Sequence, residues 1–135
     1  MEKNIFVLLT MLAFFTLQVL AQFPRCKSDI TIGPFESFTT VIVGDGFFSP
    51  DCLTVHMGTT IIFEYQGNTN HTVTSTNGPF GNCNQRALSP EIDVTLNNDN
   101  STYIFYPQGR GTLFYKCNIL GHCERDGMFG KVLVI

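Results

Sequence analysis

Short apolar and β-branched runs recur along the chain at residues 38–43, 53–55, 59–65, 71–75, 92–96, 102–106, 111–117 and 129–135. Turn-forming residues close them, as at Gly44-Asp45-Gly46, Asn77-Gly78-Pro79, Asn97-Asn98-Asp99-Asn100 and Pro107-Gln108-Gly109. Runs of this length, with no long helical periodicity, predict an all-β fold, a sandwich of roughly seven or eight strands. Residues 102–117 look like a hairpin. Side chains alternate across a strand, so Leu113, Tyr115 and Cys117 share one face and Phe114 and Lys116 take the other. Any helix is expected to be short and to lie between Gly81 and Pro90.

Ahead of these runs the chain is apolar from Ile5 to Leu20, interrupted by Thr10, Thr16 and Gln18, and Ala21 follows. A weakly polar start, a short apolar stretch and a small residue at its end match a secretory signal over residues 1–21, leaving one domain over 22–135. As a membrane anchor the stretch is a little short and lacks a basic flank on its far side. The last residues, Lys131-Val132-Leu133-Val134-Ile135, read as a strand and not as a lipid-anchor tail. The expectation is a secreted, extracellular protein with no membrane anchor once the signal is cleaved. Two sequons, Asn70-His71-Thr72 and Asn100-Ser101-Thr102, permit glycosylation in a eukaryotic host.

Composition narrows the partners. Apolar residues make up 44% of the 135 and charged residues 14%, enough to build a core and too little charge for disorder. Eight Lys and Arg against eleven Asp and Glu give a net charge of −3, and no basic face argues for nucleic acid. Removing Glu2 and Lys3 with the signal leaves that balance unchanged.

The chemistry sits in residues 115–128, Tyr-Lys-Cys-Asn-Ile-Leu-Gly-His-Cys-Glu-Arg-Asp-Gly-Met. A strand delivers Cys117, and one loop carries His122 and Met128. A thiolate, an imidazole and a thioether form a soft donor set suited to copper cycling between Cu(I) and Cu(II). Such a site wants a second imidazole, and the chain offers His56 and His71. His71 lies between two strand-like runs and is the better placed; His56, before Met57-Gly58, reads as a surface turn residue. The odd count of five cysteines suits a free Cys117, while spacing alone leaves the pairing of the other four open.

With these residues in view, the chain resembles the cupredoxins, the small blue copper proteins, and among them the plant phytocyanins and plastocyanins. The resemblance is carried by Phe48-Ser49-Pro50, Leu53-Thr54-Val55, Gly58-Thr59-Thr60-Ile61, Asn70-His71-Thr72-Val73, the Cys117–Met128 loop and Gly130-Lys131-Val132. It implies a Greek-key β-sandwich holding one copper ion, with His71, Cys117 and His122 as strong ligands and Met128 as the weak axial one. It also implies a Cys83–Cys123 disulfide, leaving Cys26 and Cys52 to join each other. The loop departs from the usual phytocyanin pattern by one extra residue between His122 and Met128, and Thr72 stands where the family often has Asn.

The function implied is one-electron transfer to and from a transient redox protein or a small reductant. The protein is expected to be a monomer and not an enzyme. An apolar rim of Pro79, Phe80, Ile119, Leu120 and Phe129 is expected around an exposed His122 edge. Three histidines are too few for the further copper sites of a multicopper oxidase or nitrite reductase. Two rival functions stand beside this one: an extracellular ligand-binding module that makes no redox use of copper, and a copper-holding or copper-delivery protein. A zinc site is chemically possible, although the soft fourth donor disfavours it.

Overall fold

The computed structural model describes residues 24–84, 86–87 and 91–135. The signal expected over residues 1–21 lies outside the described residues, as does part of the stretch between Gly81 and Pro90. The described residues contain ten strands and no helix. In chain order these are β1 (Asp29–Thr31), β2 (Phe38–Gly44), β3 (Phe47–Ser49), β4 (Cys52–Val55), β5 (Thr60–Tyr65), β6 (His71–Thr76), β7 (Asp93–Leu96), β8 (Thr102–Phe105), β9 (Gly111–Lys116) and β10 (Phe129–Val134). All eight runs read from the sequence are strands. The two additions, β1 and β3, are three residues each, too short to show an alternating pattern.

Two mixed sheets form the sandwich. One has six strands in the order β1-β4-β10-β9-β6-β7, and the other has four in the order β3-β2-β5-β8. β4 runs parallel to both β1 and β10, and β2 runs parallel to β5. The expected hairpin over 102–117 is not formed. β8 pairs with β5, through Ile61 opposite Phe105 and Glu64 opposite Thr102, whereas β9 pairs with β10 and β6. The connection at 106–110 crosses from one sheet to the other. Alternation told only that Phe105 and Leu113 each face a core, and strands stacked across a sandwich satisfy that as well as strands side by side.

The core lies between the sheets. β5 alternates cleanly, with Ile61, Phe63 and Tyr65 buried, and Val41 and Val43 of β2 join them. Across the interface stand Leu53, Val55, Val73, Leu113, Tyr115, Val132 and Val134. Tyr115 is the pivot, meeting Phe48 and Phe63 edge-on with ring centroids at 4.9 and 5.3 Å. Gly130 makes room for it, since a Cβ there would stand 2.4 Å from the Tyr115 ring.

Polar residues of β6 are buried as well, and each has partners. Thr74 Oγ1 donates to Asp93 at 3.2 Å, and the Ser75 hydroxyl donates to the Ile92 carbonyl at 3.2 Å while accepting from the Ile92 amide at 3.0 Å. These bonds tie β6 to the β7 side, and its pairing with β9 at Thr74–Thr76 holds the other side of the strand that His71 opens.

Candidate metal centre

Three strand ends meet at one pole of the sandwich. His71 opens β6, Cys117 follows the last residue of β9, and the 117–128 loop leads back into β10. The loop turns on main-chain bonds from His122 to the Ile119 carbonyl (3.1 Å), Arg125 to Gly121 (2.9 Å) and Gly127 to Cys123 (3.0 Å). Two more bonds close it: Met128 N–H donates to the His122 carbonyl and Cys117 N–H to the Met128 carbonyl, both at 3.0 Å. The extra residue is absorbed in the turn over 121–127, which ends at Gly127 with a φ of 71° that favours glycine. Met128 therefore stays bonded across the loop mouth from Cys117, with its side chain fully buried.

His71, Cys117 and His122 converge, their donor atoms all within 4.8 Å of one another. His71 Nδ1 lies 3.2 Å from His122 Nδ1, and Cys117 Sγ lies 3.4 Å from His122 Nδ1 and 4.0 Å from His71 Nδ1. His71 and Cys117 are 1% exposed and His122 is half-buried, so one imidazole alone reaches the surface. His56 is not in the cluster.

Second contacts hold Cys117 and His71 in place. Thr72 N–H donates to Cys117 Sγ at 3.4 Å, and the Thr72 hydroxyl accepts from Asn118 N–H at 2.7 Å, so Thr72 joins β6 to the loop. His71 Nε2 meets the Asp45 carboxylate at 2.8 Å. The Asp45 carboxyl is held well below the usual carboxylate range, first by that bond and then by the amide of Asn68. The Asp45 contact was missed in the sequence, where Gly44-Asp45-Gly46 reads only as a turn.

The described residues form two disulfides, one of them at the site, and Cys117 is the one free cysteine among them. Cys83–Cys123 fastens the ligand loop, with a Cα separation of 5.6 Å, and Lys116 Nζ donates to the Cys83 carbonyl beside it. Cys26–Cys52 ties the N-terminal segment to β4, where the Asp51 carboxylate also accepts from the amides of Lys27 (2.9 Å) and Ser28 (2.8 Å).

The apolar rim is present only in part. Leu120 is 93% exposed, whereas Phe80 and Phe129 stack edge to face at 4.9 Å with Lys131 over Phe80, and Ile119 packs against the core. The open recess beside His122 is instead lined by Gly46 and the polar residues Asp45, Thr69, His71 and Asp126. Both carboxylates come from turns, which is why the apolar pattern did not reveal them.

A thiolate and two imidazoles on a rigid sandwich, with a buried thioether on the same loop, fit a single copper ion by their softness and number. The fold around them is the cupredoxin fold, as solved structures of similar shape make plain. A purple cupredoxin from Nitrosopumilus maritimus is similar with a TM-score of 0.55 and 18% identity, over 71% of this chain and 98% of that one. Rusticyanin from Thiobacillus ferrooxidans is similar with a TM-score of 0.57 and 18% identity, over 89% and 92%. A copper-containing nitrite reductase from Thermus scotoductus is similar with a TM-score of 0.53 and 19% identity, over 86% of this chain and 26% of that one. No protein-family sequence model matches the chain. No curated protein sequence matches it either.

Proposed function

We propose that this protein is a secreted type 1 copper protein that carries single electrons and catalyses no reaction of its own. The observation behind this reading is the convergence of His71 Nδ1, His122 Nδ1 and Cys117 Sγ within 4.8 Å, with one of the three side chains reaching the surface. His71, Cys117 and His122 would hold the ion, with the buried Met128 thioether as a weaker fourth donor. Copper, when bound, supplies a one-electron couple between Cu(I) and Cu(II).

The chain's own residues keep rearrangement small. Thr72 N–H neutralises part of the Cys117 thiolate charge, and the closed loop fixes His122 and Met128 relative to Cys117. Burial of His71 and Cys117 excludes water from two donors, and the half-buried His122 ring is the part a partner reaches. A transient redox protein or a small reductant fits that narrow contact, which suits brief encounters. The histidine count speaks against nitrite reductase chemistry: beyond His71 and His122 the chain has His56, which lies outside the cluster. Residues 1–21 would be the secretory signal and 22–135 the working domain; two disulfides accord with an oxidising compartment.

The test is the visible spectrum of Cu(II)-loaded protein before and after ascorbate. An intense thiolate-to-copper band that bleaches on reduction and is absent from Cys117→Ser is expected. No band in folded, copper-exposed protein would overturn the reading in favour of a copper-free binding module. Met128→Leu that leaves the band and the potential unchanged would remove Met128 from the ligand set.

A further inference from the structure

We propose that Asp45 is a positioning residue of the centre: it fixes His71 as the tautomer protonated on Nε2, leaving Nδ1 a bare lone pair aimed at Cys117 and His122. The inference rests on His71 being a metal ligand. A carboxylate only accepts, so the 2.8 Å contact between Asp45 Oδ1 and His71 Nε2 puts the proton on Nε2. In the neutral ring Nδ1 then carries the lone pair. His71 Nδ1 then faces the other two donor atoms, 3.2 Å from His122 Nδ1 and 4.0 Å from Cys117 Sγ, before any metal arrives.

Asp45 is itself held for this task. Its carboxylate accepts from Asn68 N–H at 3.0 Å and Asn68 Nδ2 at 2.9 Å, and from Thr69 N–H at 3.3 Å. All three donors come from the segment that leads into His71. Gly67 permits the approach, because a Cβ there would stand 2.6 Å from Asp45 Oδ1 and 3.2 Å from the His71 ring. The turn between β2 and β3 thus reaches across the pole to the first residue of β6, a contact between the two sheets. A carboxylate behind a ligating imidazole orients the ring and raises its basicity, and losing such a partner typically weakens metal binding about 10–100-fold.

The test begins without copper. Long-range 1H–15N correlations of the His71 ring in metal-free, 15N-labelled protein at pH 8 should show a protonated Nε2 and a bare Nδ1. Asp45→Ala should give a mixture of tautomers and a copper affinity lower by about 10–100-fold. Asp45→Asn, whose amide oxygen still accepts, should retain the wild-type tautomer and most of the affinity. His71 protonated on Nδ1 or on both nitrogens in the wild type overturns the inference, and so does an unchanged tautomer in Asp45→Ala. Should Asp45→Ala fail to fold, the wild-type and Asp45→Asn spectra still decide, because an Nδ1 proton in either sinks the assignment. A wild-type protein that binds no copper but has the Asp45-dependent tautomer would defeat the proposed function and leave the tautomer assignment standing.

Discussion

At Tyr115 the core encloses a phenol whose oxygen is buried and has no hydrogen-bond partner among the described residues. Burial pushes its pKa far above the ordinary tyrosine value, and the Asp51 charge adds to the shift. A raised native pKa stabilises the fold fully below the unfolded value and progressively less above it. Above pH ~10 the unfolded phenol ionises while the folded one cannot, so each further pH unit should cost about 1.4 kcal/mol. Tyr115→Phe is therefore expected to match or exceed wild-type stability at pH 7 and to flatten this alkaline fall, read from urea midpoints at pH 7 and 11. Gly130→Ala should destabilise by about 1–3 kcal/mol, because the added methyl group presses into the same ring. At this scale the sequence was legible where chemistry is scarce. Histidine is scarce, and a cysteine, a histidine and a methionine share one loop, so the ligand loop stood out, whereas Asp45 and Gly67 are ordinary turn residues whose role depends on a contact between sheets.

Among the elements, the ligand loop has the most restraints. It is closed at its mouth by the Cys117–Met128 main-chain bond and fastened at its side by Cys83–Cys123. Replacing Cys83 and Cys123 together by Ala removes a cross-link spanning 40 residues, worth about 4 kcal/mol in chain entropy. It should also broaden the visible band of the copper-loaded protein, since it frees the loop that carries His122. The Cys26/Cys52 double alanine variant, spanning 26 residues, should cost about 3.5 kcal/mol and leave the band unchanged, because β4 supplies no donor. Denaturant midpoints and absorption spectra of the two variants check both statements. The strands themselves were readable from their alternation, but their partners were not. The misplaced 102–117 hairpin shows why: a crossover of a few residues spans the sandwich as easily as it turns back, and the inward residues are the same in either case.

For the whole molecule, the order of strands has a consequence for its behaviour in crowded solution. The outermost strands of both sheets, β1 and β7 in one and β3 and β8 in the other, are three or four residues long, while β2, β5, β6, β9 and β10 within have six or seven. An unpaired strand edge is a template on which another chain can add, and its danger grows with its length. Here the long strands are flanked on both sides over part of their length, β2 by β3 only at Ile42–Gly44, and the stretches left open are four residues or fewer. Sedimentation is accordingly expected to find a monomer well into the millimolar range, and heating short of unfolding to produce no fibrils. An electron carrier of the proposed kind would gain from this arrangement, since its half-buried His122 edge would meet partners while its short strand edges give a neighbour little to hold.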